Sequence, residues 1–275
     1  MTRVQVQHLF LFPIKSLGPI SVDQVDVESA GFKGDRRFML VDDQGKFITQ
    51  RTRPDLTRFQ IRIHDLGFDV FDRITAKSKV LASSPELLDF LEVELWEDAL
   101  QVREVGEGWS EWFSELLAES VRLVMQVEEA PRLISEKYQT QGSNQSSFAD
   151  SLPILLASEA SYLEVEKVLG QRFDRLRFRA NIIVSGSHAF EEDSWAEFAI
   201  ESVRFSGAKP CARCQLVNVE PSSGEVDRGG VLKALASFRQ KENKVYFGQQ
   251  IVPISLGKIQ VGDALIILSH KDALF

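Results

Sequence analysis

Both cysteines of this 275-residue chain, Cys211 and Cys214, lie three positions apart in one short segment. A thiolate binds soft metals and attacks electrophiles, and a neighbouring cation stabilises it; Arg213 stands between the two cysteines. Together with Pro210, this arginine predicts a turn whose backbone groups face a ligand, which favours an anionic cofactor over a bare metal. Two interpretations stay open: a ligand site, or a structural pair that is buried or supplies half of a zinc site.

Three other segments combine cations with hydroxyl or backbone groups that can bind phosphate. Lys15 and Ser16 follow Pro13 in a short loop, and Arg37 belongs to a run, residues 34–38, at the entry of a predicted strand. The third segment carries four arginines within eight residues, namely Arg172, Arg175, Arg177 and Arg179. Guanidinium groups bind phosphate through paired hydrogen bonds. The alternative in each case is a solvated, salt-bridged surface, with Glu164, Glu166 and Asp174 as partners of the arginines.

The overall composition argues against several classes of function. The net charge is −8, so the chain as a whole repels nucleic acid and anionic membranes. No apolar run approaches the length of a membrane span and the first residues do not form a signal-peptide core, which predicts a cytoplasmic protein. Two cysteines are too few for a protein-held iron–sulfur cluster. Glycine-rich phosphate loops and a hydrolase triad around the four histidines are also missing.

Strands dominate the elements that must position these residues. Alternating apolar residues predict strands at 4–10, 21–28, 37–41, 59–63 and 99–105, and later at 181–185, 199–205, 215–219, 258–260 and 264–268. Helices are predicted near 85–92 and 110–118, from a capping box at Ser161 to Gly170, and over 231–239. The polar stretch 138–147 is typical of a loop. A barrel or meander is expected in the first half, with a boundary somewhere in 120–150.

Ten short segments in this order and spacing resemble two-part proteins of the MOSC superfamily, among them the amidoxime-reducing components and their bacterial relatives. The segments are residues 12–16, 34–41, 47–51, 148–153, 158–161, 178–182, 192–195, 211–214, 247–249 and 261–263. The resemblance implies an α+β, mainly β fold. In it, an N-terminal MOSC_N β-barrel domain (1–125) packs on a C-terminal MOSC β-barrel domain (126–275) with a few helices.

The same resemblance implies a molybdenum cofactor, Mo-molybdopterin, and a two-electron reduction of N-hydroxylated substrates. Cys214 is then both the metal ligand and the catalytic residue, while Cys211 supports it. The cofactor-binding residues implied are Lys15, Ser16 and Arg37 for the phosphate region, and Asp150, Ser151, Arg179, Asn181 and Arg213 around the pterin and metal. Ala212 departs from relatives that often carry a hydroxyl residue there.

The implied partners are a small N-hydroxylated substrate and a separate electron-donor protein of the ferredoxin or flavin-reductase type, without nucleic acid or membrane. The external donor is expected because no iron–sulfur domain follows the last strand and the chain lacks cysteines for one. An alternative function is a cofactor-binding or sulfur-carrier protein without turnover, since MOSC domains also occur in molybdenum-cofactor sulfurases. A zinc or redox protein built on the two cysteines is a third hypothesis.

Overall fold

The computed structural model describes residues 3–227 and 230–275, and it is mainly β, as expected. Its helices are α1 (Trp109–Leu117), α2 (Glu159–Leu169) and α3 (Val231–Arg239). Its strands are β1 (Gln5–Leu11), β2 (Ile20–Val22), β3 (Gln24–Glu28), β4 (Gly31–Phe32), β5 (Phe38–Asp42), β6 (Phe59–His64), β7 (Gly67–Asp72), β8 (Ser78–Ala82), β9 (Leu87–Leu95), β10 (Asp98–Val105), β11 (Val121–Met125), β12 (Ile154–Ser158), β13 (Ile182–Ser185), β14 (Trp195–Ile200), β15 (Val203–Arg213), β16 (Gln240–Lys241), β17 (Lys244–Pro253), β18 (Gly257–Gln260) and β19 (Leu265–His270).

The largest sheet has nine strands and carries most of the second half of the chain. Its order is β19-β14-β15-β17-β12-β13-β1-β2, with β16 added to β17. The sheet is not a closed barrel, but its ends approach each other at an isolated bridge between Gln5 and Ala264. Strands β12 and β13 are parallel, and α2 connects them as the crossover that parallel strands require.

The remaining strands form three smaller antiparallel sheets: β5-β11-β10-β9, β6-β7-β8 and β18-β3-β4. Two pairings join the start of the chain to its second half. Strand β1 pairs with β13, and β3 pairs with β18. The predicted boundary between 125 and 126 remains a prediction, but the pairing shows that residues on either side of it share sheets.

Helices α1 and α3 form where the sequence predicts them, and α2 differs at its beginning. Its N-cap is Ser158, whose hydroxyl accepts a hydrogen bond from the backbone N–H of Ser161, rather than Ser161 itself. Gly170 ends the helix in a left-handed conformation, as predicted. Among the described residues, none of the helices has both the length and the apolar character needed to cross a membrane.

Four predicted elements are wrong. The run 21–28 is divided at Asp23 into β2, which pairs with β1, and β3, which pairs with β18 and β4. Residues 85–92 do not form a helix, because Leu87–Leu95 pairs as strand β9 along most of β10. The run 199–205 is split into two antiparallel strands by a turn at Glu201, whose φ of 49° is left-handed. Residues Gln215–Asn218 form a 3-10 turn rather than a strand. Long-range pairing and turn geometry decide these segments, and local periodicity does not reveal them.

The cysteine segment itself lies at the end of a strand rather than in a turn. Residues up to Arg213 belong to β15, and β-bulges at 207–209 and 210–212 interrupt its pairing with β17. A bulge re-aims the side chains that follow it. Beneath this strand lies a buried aromatic cluster that includes Tyr162, Phe178 and Phe247. The end of β15 therefore rests on a rigid apolar base.

Candidate functional site

A cavity of about 920 Å³ opens beside the end of β15 and is lined by residues from both halves of the chain. It brings together all but one of the residues that the sequence predicts for the site. Those lining it are Lys15, Ser16, Asp150, Ser151, Arg179, Asn181, Arg213 and Cys214. These side chains are up to two hundred positions apart in sequence, so the paired sheets create the site.

Arg37 is the exception, because it lies outside the cavity lining. Its neighbour Arg36 lines the cavity instead. Arg37 donates from Nη2 to the carbonyl of Gln126 at 3.0 Å, outside the cavity lining. Arg36 donates from Nη1 to Asn181 Oδ1 at 3.0 Å and from Nη2 to the carbonyl of Arg179 at 3.1 Å. Arg36 lies in a turn with a left-handed backbone (φ 49°) before β5 begins at Phe38, so the sequence pair predicts the segment but not the side chain.

Cys214 lies half-buried in the wall and begins the 3-10 turn that follows β15. Its Sγ accepts a hydrogen bond from Nε of Arg51 at 3.2 Å. The guanidinium of Arg51 also donates to Asp150 Oδ2 at 2.6 Å and stacks over Trp96, 4.6 Å from the ring centroid. The cation beside the half-buried thiol of Cys214 is therefore Arg51, from the first half of the chain.

Arg213, which stands between the two cysteines in the sequence, contacts Cys211 rather than Cys214. Its Nη1 lies 3.1 Å from Sγ of Cys211, and its Nη2 donates to the carbonyl of Phe178 at 2.9 Å. Cys211 is buried within the apolar cluster. The two thiols are thus inequivalent: both cysteines line the cavity, but Cys211 is buried beside Arg213, whereas Cys214 is half-buried beside Arg51.

A buried lysine and a half-exposed carboxylate form the central ion pair of the wall. Lys15 donates from Nζ to Asp150 Oδ1 at 2.6 Å and to the carbonyl of Phe148 at 2.8 Å. Burial lowers the pKa of Lys15 to about 8; the like charges of Arg51 and Arg36 add to this, and Asp150 opposes it. Desolvation by itself would raise the pKa of Asp150, but Lys15 and Arg51 hold it well below its usual range.

Asn181 and Arg179 connect the cavity wall to the N-terminal loops. Asn181 is buried; its Nδ2 donates to the carbonyl of Phe10 and to Asp35 Oδ1, both at 3.1 Å. Its amide is therefore used to hold the wall together. Arg179 has a left-handed backbone (φ 54°) and stacks 4.2 Å from the centroid of the Phe12 ring. Burial and then the nearby charge of Arg36 lower the pKa of Arg179 to about 9.

The cavity is strongly cationic although the chain is acidic. Its basic lining residues are Lys15, Arg36, Arg51, Arg179, Lys209, Arg213 and Lys244, and its acidic one is Asp150. Lys209 also donates to the predicted residue Ser151, from Nζ to Oγ at 2.9 Å. Such a concentration of cations attracts a polyanionic ligand. Because Cys214 lies in the same wall, the site can combine anion binding with thiolate ligation.

The sequence interpretation missed Arg36, Arg51, Lys209 and Lys244. A signal existed for the first three. Arg36 and Arg51 fall within the segments 34–41 and 47–51 that carry the resemblance, and Lys209 lies two residues before Cys211. Lys244 enters through β17, which the sequence reading left unassigned.

Comparison with known proteins identifies two domain families and two groups of relatives. Residues 3–120 match the MOSC N-terminal beta barrel domain and residues 143–266 match the MOSC domain. Mitochondrial amidoxime-reducing component 1 of Mus musculus is 29% identical over 280 residues, which span 96% of this chain and 82% of that protein. Mitochondrial amidoxime reducing component 2 of Rattus norvegicus is 30% identical over 279 residues, with 94% and 81% covered.

Molybdenum cofactor sulfurase of Homo sapiens is 30% identical over 275 residues, which span 91% of this chain but 30% of that larger protein. The names of the two amidoxime-reducing components place those relatives in mitochondria, whereas the cytoplasmic location expected for this chain stays a prediction.

Proposed function

Because this chain belongs to the family that joins a MOSC N-terminal beta barrel domain to a MOSC domain, we propose that it is a molybdenum-cofactor-dependent reductase of N-hydroxylated compounds. The family relationship connects the chain with molybdenum-cofactor biochemistry. The observation that carries the finer proposal is the half-buried thiol of Cys214 in a cavity lined by seven basic side chains.

The residues present fit the cofactor. A pterin phosphate is an anion, and the cavity offers guanidinium nitrogens, Nη2 of Arg179 and Nε of Arg213, that are buried without a hydrogen-bond partner in the described part of the chain. Unpaired buried donors are costly unless a ligand satisfies them. No three His, Cys, Asp or Glu side chains converge into a metal site anywhere in 3–227 and 230–275. Cys214 is therefore proposed as the protein's single thiolate ligand.

The proposed binding roles follow from position in the wall. Lys15, Ser16 and Arg36 would hold the phosphate region, with Arg36 in the role that the sequence gave to Arg37. Ser151, Arg179 and Lys209 would flank the pterin, and Asp150 would keep Lys15 and Arg51 charged and in place. Cys214 would ligate the metal.

When bound, the cofactor supplies the two-electron chemistry that removes the N-hydroxyl oxygen. The chain supplies a cationic cavity and Arg51, whose Nε–H already faces the sulfur of Cys214. Hydrogen bonds to a ligating sulfur tune the metal centre that it holds. The electrons are proposed to come from a separate donor protein of the ferredoxin or flavin-reductase type.

The test compares two serine variants of the same segment after expression in a cofactor-competent host. Cys214→Ser should lose benzamidoxime reduction by about a hundredfold or more with a chemical electron donor, because the ligating sulfur is removed. Cys211→Ser is the matched control in the same cavity wall and should keep most of the activity, since Cys211 is buried beside Arg213 and is not the proposed ligand. Molybdenum and pterin are measured in both. Full activity in Cys214→Ser would refute the assignment.

A second candidate function is a cofactor-binding or sulfur-carrier protein without turnover. The sulfurase relative favours it, because that protein aligns along 91% of this chain. Stoichiometric molybdenum and pterin in the native protein, with no reduction of amidoximes by any donor, would establish this alternative instead.

A further inference from the structure

A second cavity, of about 310 Å³, adjoins the first through Arg179, which lines both. Its wall comes from both halves of the chain: the loop 17–19, the start of β6 and the residue after β7 on one side, and the segments 174–179 and 219–222 on the other. A volume near 300 Å³ is at the small end of ligand-binding pockets. The cavity can hold a small molecule.

Four arginines line this second cavity: Arg62, Arg73, Arg177 and Arg179. Among them, Arg177 forms an ion pair, with Glu220. The other three have no carboxylate oxygen within 4.0 Å in the described ranges. The one acidic side chain in the lining, Asp174, accepts a hydrogen bond from the backbone N–H of Leu176 at 2.8 Å. In a chain of net charge −8, the cavity is a local excess of positive charge.

Two of these guanidinium groups also have unused donors that the first cavity does not share. Nε of Arg73 and Nε of Arg177 are buried and have no hydrogen-bond partner among residues 3–227 and 230–275. Arg177 is 9% exposed, so water does not readily compensate. Native proteins seldom leave several charged donors unsatisfied in one place without a ligand to receive them.

Hydrogen bonds to uncharged backbone carbonyls fix Arg73 in the wall of this second cavity. Its Nη2 donates to the carbonyl of Thr57 at 2.8 Å and to that of Pro221 at 3.3 Å, and its Nη1 donates to the carbonyl of Ser222. These contacts fix the side chain while leaving its charge uncompensated. Gly18 permits the close approach of the loop 17–19 to the start of β6 on the same side of the cavity, since a Cβ there would lie 3.0 Å from the carbonyl oxygen of Phe59. Arg62, exposed and stacked 4.2 Å from the Phe71 ring centroid, stands at the rim.

We propose that this second cavity binds a phosphate-bearing small molecule, at a site separate from the cofactor cavity. Phosphate matches the site better than a single carboxylate does, because it brings more negative charge and more acceptor oxygens to several guanidinium groups at once. Bound phosphate would also favour the charged form of Arg179, whose pKa burial and Arg36 lower to about 9.

The test is calorimetric titration of the full-length protein with inorganic phosphate at constant ionic strength. The protein is titrated with its cofactor bound, so that the phosphate region at Lys15, Ser16 and Arg36 is already filled, and the native chain should then bind one phosphate. Arg73→Gln should weaken binding about tenfold or more, the usual effect of losing a charge-assisted hydrogen bond. Arg62→Gln should produce a smaller loss, and because Arg62 is exposed and holds no backbone carbonyl, this variant keeps the test valid if Arg73→Gln folds poorly. Circular dichroism melts check folding.

Two controls carry the same loss of charge elsewhere. Arg172→Gln changes an exposed arginine outside both cavities, and Lys209→Gln changes a cation of the larger cavity alone. Both should bind phosphate like the native chain. If Lys209→Gln loses binding while Arg62→Gln and Arg73→Gln retain it, the phosphate belongs to the cofactor cavity; if the native chain shows no binding, no such site exists. Either result overturns the proposal, and neither depends on reductase activity.

Discussion

Arg51 is the residue through which the first half of the chain reaches the thiol of Cys214. It contacts Cys214 and Asp150 and stacks over Trp96. We predict that Arg51→Gln lowers amidoxime reduction at least about tenfold, because the charge-assisted contacts to the sulfur and the carboxylate are lost together. The measurement is kcat and KM with a chemical donor, together with cofactor content.

The matched control is Arg103→Gln, which also removes an arginine stacked on an aromatic ring, at 5.4 Å over Phe90, but lies outside the cavity. It should leave turnover unchanged. Equal turnover in Arg51→Gln and Arg103→Gln would show that the contact with Cys214 contributes nothing to the reaction.

For individual residues, the sequence predicts which residue types belong to the site better than it predicts their contacts. The resemblance assigned Cys214, Lys15, Asp150 and Arg179 to one site, and the structure shows that these four residues line the same cavity. It named Arg37, which lies outside the cavity lining, whereas Arg36 lines the cavity; the left-handed turn at Arg36 (φ 49°) before β5 is not visible in the sequence. The sequence assigned no role to Arg51, because the contact of Arg51 with Cys214 spans 163 positions and no local pattern encodes it.

The N-terminus of α2 is an element whose stability should depend on pH. Glu192 is fully buried; its Oε1 accepts hydrogen bonds from Ser161 Oγ at 2.8 Å and the N–H of Ser158 at 3.2 Å, and its Oε2 has no partner in the described part of the chain. Burial, and then the neighbouring charge of Asp193, raise the pKa of Glu192 to about 7, against hydrogen bonds that lower it.

The raised pKa fixes the sign of the effect. Between its ordinary value of 4.5 and about 7, the folded state holds the proton more tightly than the unfolded state. The contribution of Glu192 to stability is therefore present at low pH and is lost as pH rises through about 7, to a total of ~3 kcal/mol.

Glu192→Gln removes that loss, so its melting temperature relative to the native chain should rise between pH 5 and pH 8. Exposed Glu128→Gln is the control. Parallel curves for Glu192→Gln and the native chain would contradict the prediction.

Elements with a complete local signal were predicted well, and elements that depend on pairing were not. Helix α3 has its apolar face and its bounds in the sequence, and it forms over Val231–Arg239 as predicted. Strand β9 carries acidic and leucine residues that also suit a helix, and its pairing with β10 decides the outcome. The cap of α2 moved to Ser158 because Glu192, from a distant segment, anchors that serine and Ser161.

Strands from the two halves of the sequence pair with each other and hold the whole molecule together. Strand β1 pairs with β13, β3 pairs with β18, and the buried side chains of Val6 and Leu9 belong to the same core as Ile182 and Val184. The sequence predicts a boundary between 120 and 150 but gives no sign that strands from the two halves pair with each other. Both cavities lie where the halves meet, so this pairing also creates the sites.

A fragment of residues 126–275 should consequently fail to fold by itself. It would lack β1 and β2 at one end of the nine-stranded sheet and the partner of β18, and it would expose the apolar surface that Leu9 and Val6 cover. We expect a featureless near-ultraviolet circular dichroism spectrum and no cooperative melting for the isolated fragment. Co-expression with residues 1–125 should restore both, because every strand pairing can then form between the two pieces. Cooperative melting of the isolated fragment would contradict this dependence and would support a true domain boundary at 125.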